Sequence, residues 1–234
     1  MSAARPLSAL LLCGGQSRRF GREKGLMSFC GRPLVERLIV TLRRISDDVR
    51  ISTNDPQRYA GFGCPTVADH YPGAGPLAGL QAGLTAARHD WLAVVACDMP
   101  FASDVLLAGL AHLAGEEDAI VPVLPPTAGH PGLRYEPLHA LYRRPTCLPA
   151  AEALLRRGEG SLRRLFAELR VRTVSREELA SILMRGGGEA VHGAVEASGA
   201  PDAVERLFAN INTGEELARL EALAAETPGA SPKG

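Results

Sequence analysis

The stretch LLLCGGQSRRFGREKG at residues 10–25 breaks an apolar run on Gly14 and Gly15, then supplies Arg18, Arg19, Arg22 and Lys24. Glycines at such a break remove side chains where backbone amides could approach phosphate oxygens, and the cations behind them could offset the charge of a triphosphate. This is the outline of a phosphate cradle. It follows neither dinucleotide nor P-loop grammar, because no GxGxxG is present and no lysine follows a glycine at the P-loop spacing. Arginines near a helix start also serve as plain solvated surface, so other loops must separate the two readings.

ACDMP at residues 96–100 ends a second apolar run on Asp98, with Pro100 opposing continuation of a strand. A carboxylate at a strand terminus can hold magnesium, an ion that joins one or two carboxylates to substrate phosphates. The competing role, a cap on the next helix, suits Ser103 better. Asn54 closes RISTN and Asp69 closes PTVAD. Each alone reads as a turn residue, but with Asp98 they put polar side chains after three strands. YPGAGPLAGL at residues 71–80 adds a glycine-rich turn entering a helix, whose amino terminus could accept an anion or let a nucleobase approach. The histidines show no metal spacing such as HExxH, and only His139 in EPLHALY merits attention. No GxSxG is present, so covalent acyl chemistry has no support.

Such residues work together only if several strands end at one level. Apolar runs predict strands at 7–12, 48–54, 64–69 and 91–98, and helical spacing predicts helices at 33–45 and 76–88. Beyond them the pattern reads as a helix at 103–113, strands at 118–123 and 136–142, helices at 147–157 and 161–167, and a strand at 169–174. The alternation implies an α/β/α sandwich of three layers with a mostly parallel sheet, in which ligands bind at the carboxyl ends of the strands. Residues 184–201, rich in glycine and alanine without clear period, read as a mobile insertion, a loop or weak helix, within a single domain spanning 1–224. Residues 225–234 read as a disordered tail.

Composition limits the partners. The 234 residues are 46% hydrophobic and 22% charged, which suits one ordinary domain with a sizeable core. Lysine plus arginine and aspartate plus glutamate both total 26, so no global basic field gathers nucleic acid or an acidic membrane. No apolar run approaches the length of a spanning helix, and the first fifteen residues lack a signal-peptide cleavage pattern, giving a cytoplasmic expectation. The five cysteines include no CxxC pair, which argues against a disulfide framework or a structural zinc site.

Taken together, LLCGGQSRRFGREKG, DHYPGAGPLAGL, ACDMPF, PLHALY and NINTGEEL resemble, in order, the motifs of the molybdenum cofactor guanylyltransferases. These belong to the wider group of Rossmann-like nucleotidyltransferases. The resemblance implies transfer of GMP from Mg-GTP to the terminal phosphate of molybdenum-molybdopterin, giving the guanine dinucleotide and pyrophosphate. It implies Mg2+ as cofactor, GTP and molybdenum-molybdopterin as substrates, and molybdoenzymes or cofactor-biosynthesis proteins as partners. By position, Leu12, Cys13, Gly14 and Gly15 would line the nucleotide, Lys24 would contact its phosphates with Arg18 and Arg19 in the arginine region, and Asn54 and Asp69 would fix base and ribose. Asp98 would bind the metal, and Asn210 and Asn212 would lie on the pterin side. Cys13 stands where the family usually has alanine, Glu23 where aspartate is common, and Phe20 where methionine is usual. A cytidylyltransferase acting on the same cofactor and a catalytically silent nucleotide-binding module are the alternatives.

Overall fold

The computed structural model describes residues 5–14, 24–127, 129–186 and 203–225. The elements run β1 (Leu7–Leu12), β2 (Ser28–Phe29), β3 (Arg32–Pro33), α1 (Leu34–Arg43), β4 (Asp48–Ser52), β5 (Thr66–Val67), α2 (Pro76–Ala86) and β6 (Trp91–Ala96). They continue with α3 (Asp104–His112), β7 (Ala119–Leu124), β8 (Arg134–Tyr135), β9 (His139–Arg143), α4 (Arg144–Arg156), α5 (Leu162–Ala167) and β10 (Val171–Val174). The last helices are α6 (Arg176–Gly186), α7 (Ala203–Leu207) and α8 (Gly214–Ala225).

β1 and β6 are buried along their whole length, because helices cover both faces of the sheet. The sheet order is β10-β7-β9-β6-β1-β4-β5. β9 runs antiparallel to both neighbours. Among the described residues between β7 and β9 there is no helix, and without a crossover the next strand returns antiparallel. Side chains of α1, α3 and α6 enter the apolar layer on one face, and those of α2, α4 and α5 the layer on the other. The expected three-layer α/β/α sandwich with a mostly parallel sheet is therefore the observed one.

α1 buries Leu34, Val35, Leu38, Ile39 and Leu42, a single stripe at helical spacing. α2 is apolar nearly all round and seats its glycines on the sheet. A Cβ at Gly83 would lie 2.3 Å from Leu10 Cδ2, and one at Gly79 would lie 2.6 Å from Leu12 Cδ2. These two positions fix how closely α2 approaches the strands.

The expected elements lie where predicted, with shorter strands. The strand expected over 64–69 retains only Thr66–Val67, and those expected to end at 54 and 98 leave the ladder at Ser52 and Ala96. Asn54, Asp69 and Asp98 thereby stand in loops. Met184–Gly186, at the start of the stretch read as a mobile loop or weak helix, complete α6, whose Leu179, Ile182 and Leu183 are buried at helical spacing. Ala225 likewise closes α8 instead of opening a tail. Residues 187–201 and 226–234 lie outside the described residues.

Candidate active site

The carboxyl ends of three parallel strands form one row. Leu12 pairs with Ser52 on one side and Ala96 on the other. The next amides hold the loops at that level: Cys13 N donates to Ser52 O at 2.9 Å, Cys97 N to Leu12 O at 3.0 Å, and Thr53 N to Val67 O at 2.9 Å. The chain crosses from β1 to β4 by α1 on one face, then from β5 to β6 by α2 on the other. β1 therefore sits at the switch in direction where open α/β sheets bind ligands.

On the β4 side, Asn54 and Asp69 clasp each other. Asn54 Nδ2 donates to Asp69 Oδ2 and Asp69 N donates to Asn54 Oδ1, both at 3.0 Å. Ser52 Oγ reaches Asp69 Oδ1 at 3.4 Å. A Cβ at Gly79 would stand 2.9 Å from Ser52 Oγ and 3.6 Å from Asp69 Oδ1, so this glycine admits α2 to the clasp. Gly75, at φ 76°, turns the chain into that helix, and Pro76 occupies its first turn. The loop between α4 and α5 braces the turn, since a Cβ at Gly160 would strike Ala74 O at 1.8 Å.

On the β6 side, Lys24 Nζ donates to Asp98 Oδ2 at 2.8 Å and to Asn212 Oδ1 at 2.5 Å. Both side chains of the ion pair are only 20% exposed. Residues separated by up to 188 positions thus form one polar group. Ile211 N donates to Asp98 O at 2.9 Å, and the buried Ile211 side chain packs with Phe29, Leu34, Leu220 and Ala224. α8 holds the turn from its first residues: Glu216 N donates to Thr213 Oγ1 at 3.1 Å, while Glu216 Oε2 accepts from Asn212 N at 2.6 Å. This is a capping box displaced by one residue. Beneath Lys24, Gly25 is wedged against Tyr59, Cys97 and Cys13.

The loop carrying Asp98 is fastened behind. Arg37 Nε donates to Pro100 O at 3.1 Å, and its guanidinium lies 5.7 Å from the centre of the Phe29 ring. Ser103 Oγ caps α3 by accepting from Leu106 N at 3.1 Å, while Ser103 N donates to Nε2 of the fully buried His139 at 3.4 Å. Burial pushes the His139 pKa down to about 4, so at neutral pH the ring is uncharged and can accept that bond. His139 is a joint in the scaffold, packed 5.3 Å from the Phe208 ring.

Of the residues singled out from sequence, Lys24, Asp98 and Asn212 are joined in one group, and Asn54 and Asp69 in another. Leu12 is buried beneath Gly79, Cys13 is buried, and Gly14 is exposed. Asn210 is exposed beside the anchored Ile211. Gly15, Arg18, Arg19 and Arg22 lie outside the described residues. The sequence reading missed Gly25, Ser52, Gly79, Ile211, Thr213 and Glu216. The T-x-x-E spacing of Thr213 and Glu216 signalled a helix start; the others carried no local signal, because their roles arise from segments remote in the chain.

Among the described residues no three His, Cys, Asp or Glu side chains gather into a metal cage. Asp98, whose Oδ1 accepts no hydrogen bond among the described residues, is a carboxylate that could join a hard divalent cation to oxygens of a bound ligand.

Residues 9–174 match the family described as the MobA-like NTP transferase domain. The chain belongs to that family. It is 33% identical to a molybdenum cofactor guanylyltransferase of Desulfosudis oleivorans, over 92% of this chain and 95% of the relative. It is 40% identical to one of Pseudomonas entomophila, over 70% and 84%. The solved structure of molybdopterin-guanine dinucleotide biosynthesis protein A from Archaeoglobus fulgidus superposes with a TM-score of 0.72 at 22% identity, covering 94% of this chain and 99% of that one. The described residues thus share the fold of that solved structure. Among the described residues no helix is long and apolar enough to cross a membrane.

Proposed function

We propose that this chain is a molybdenum cofactor guanylyltransferase, transferring GMP from Mg-GTP to the terminal phosphate of molybdenum-molybdopterin. Its relatives bear that name over most of their length. The observation that carries the reading is the Lys24–Asp98–Asn212 group, standing at the same strand ends as the Asn54–Asp69 clasp. One side suits a cation and phosphates, the other the hydrogen-bonding edges of a nucleoside.

An oxygen of the acceptor phosphate attacks the α-phosphorus of GTP. A new P–O bond forms as the bond to the β-phosphate oxygen breaks, and pyrophosphate leaves with the electron pair. The attacking oxygen is already anionic, so the protein needs no nucleophile of its own, only alignment and charge neutralisation. Asp98 would hold the magnesium ion, whose chemistry is to polarise the phosphoryl oxygens and neutralise their charge. Lys24, already poised by Asp98 and Asn212, would turn its ammonium to the phosphates, with Arg18 and Arg19 adding charge. Asn54 and Asp69 would orient ribose and base, while Leu12, Cys13, Gly14 and Gly15 present backbone to the nucleotide. Asn210 and Asn212 would face the acceptor.

The test is to incubate purified protein with magnesium, molybdopterin carrying molybdenum, and GTP or CTP in turn, then weigh the dinucleotide formed. The guanine dinucleotide with release of pyrophosphate is expected. Product from CTP alone would assign the cytidylyl reaction instead, and nucleotide binding without pyrophosphate release would leave only a binding module.

A further inference from the structure

The sulfur atoms of Cys13 and Cys97 have no part in the transfer just described, yet the fold sets them side by side. The β1–β6 register pairs Leu11 with Val95 and Leu12 with Ala96, so Cys13 and Cys97 stand opposite each other one step beyond the ladder. Side chains alternate along a strand. Leu11, Val95 and Cys13 share one apolar layer, and Cys97 packs against that same layer, so both thiols lie on one face. Gly25 offers an independent measure: a Cβ there would lie 3.4 Å from Cys13 Sγ and 3.3 Å from Cys97 Cβ. Neither is in a disulfide; Cys13 is buried and Cys97 half-buried.

Neighbouring strands run about 4.8 Å apart, inside the Cα separation that a disulfide spans. Opposed Cβ atoms at that spacing are wider apart than the roughly 3.8 Å that a disulfide prefers. Closing the bond would draw the two strand ends together by about 1 Å. Those ends lead directly into Gly14 and Asp98, and Gly25, against both cysteines, follows Lys24.

We propose that Cys13 and Cys97 form an oxidation site that takes a small peroxide and closes a disulfide across the floor of the site. The more accessible Cys97 sulfur attacks one peroxide oxygen; the O–O bond breaks, a sulfenic acid forms, and the other oxygen leaves as water. Cys13 sulfur then attacks the sulfenic sulfur, the S–O bond breaks and a second water departs. Two thiols are oxidised, one peroxide is reduced, and no further reactant is required. The bond displaces Gly14, Lys24 and Asp98 relative to one another, and transfer slows until a thiol reductant restores it.

The full-length protein is treated with hydrogen peroxide, its remaining thiols are alkylated, and it is digested with trypsin. The peptide ending at Arg18 and the peptide spanning His89–Arg134 each contain a single cysteine. They should be recovered as one linked species, which dithiothreitol separates. Recovery of the two only as separate alkylated or sulfinic peptides overturns the site. This arm involves no substrate. The second arm rests on the transferase reading: peroxide should slow GMP transfer about tenfold to a hundredfold, reversibly, as expected for a misplacement near 1 Å. Cys97→Ala, or Cys97→Ser if alanine leaves a void, should keep its untreated rate in peroxide, whereas Cys30→Ala should lose activity like the unaltered protein. A linked peptide with unchanged transfer overturns the control of activity. If untreated protein transfers nothing while the linked peptide still forms, the oxidation site stands and the transferase reading fails.

Discussion

Asp48 and Asp98 lie at opposite ends of the parallel strands that flank β1, and their surroundings differ in kind. Asp48 opens β4 and is 6% exposed. It accepts from Ser8 Oγ at 2.7 Å and Arg88 N at 2.9 Å, and pairs with Arg50 at 2.9 Å. Asp118, just before β7, is enclosed in the same way by the amide and guanidinium of Arg170. Burial alone would raise both carboxyl pKa values, but these donors outweigh it and hold them below the ordinary range. Asp98 accepts one ammonium through Oδ2, and its Oδ1 accepts nothing among the described residues. Asp48 and Asp118, at the amino ends of their strands, close the structure by using up their acceptors, whereas Asp98, at a carboxyl end, keeps acceptor capacity in Oδ1.

The largest expected contrast is between variants of these two residues. Asp98→Asn should cut GMP transfer about a hundredfold or more while leaving the melting temperature nearly unchanged. Near-normal turnover would remove Asp98 from the metal role. Asp48→Ala should do the reverse, lowering unfolding free energy by about 2–4 kcal/mol because Arg50 and the Ser8 hydroxyl lose their acceptor, with turnover per folded molecule retained. Urea unfolding beside single-turnover rates checks both; a catalytic defect in Asp48→Ala without loss of stability would break the comparison.

A smaller effect is expected where scaffold meets site. Glu216→Ala frees the Asn212 turn and should slow transfer about tenfold, as fits loss of one charge-assisted hydrogen bond. Glu216→Gln, which keeps an acceptor oxygen, should recover most of it. Equal defects in both variants would mean that the charge of Glu216 acts directly.

The smallest effects are in acid, where the scaffold and the amino edge separate by pH. His139, with its pKa down at about 4, stays neutral in the fold while the unfolded chain protonates, so its contribution falls as pH drops from about 6.5 to 4. Burial pushes the Glu136 carboxyl up to about 7, with Arg134 opposing only in part. The folded protein therefore holds that proton first, and its stability rises as pH falls from about 7 to 4.5. The two slopes oppose each other. Glu136→Gln should expose the loss of stability on acidification, and His139→Gln the gain, in urea titrations between pH 7 and 5. Identical slopes in the two variants would contradict the assignment. Asp48 and Asp118, whose folded pKa values lie below the unfolded ones, contribute stability above pH ~3.8 that disappears as pH falls through the folded values.

Much of this was legible in one dimension. The alternation of apolar runs and helical stripes determined the layers and the mostly parallel sheet, because burial on both faces demands continuous apolar strands and covering helices. The strand ends then pointed to Gly14, Asn54, Asp69 and Asp98, because a parallel sheet gathers its carboxyl-end loops on one edge. Residue types alone could not say which aspartate is structural. Asp48 and Asp98 become different only when Ser8, Arg50 and Arg88 enclose the first, and Lys24 and Asn212 meet the second across the cleft. The seating of α2 through Gly79 and the pairing of Cys13 with Cys97 were decided in the same way. The sequence by itself determined the periodic burial that builds the sandwich and the polar residues at its strand ends. Only the tertiary structure decided which of them share a site, because hydrogen bonds and close packing act across a few ångströms between segments far apart in the chain.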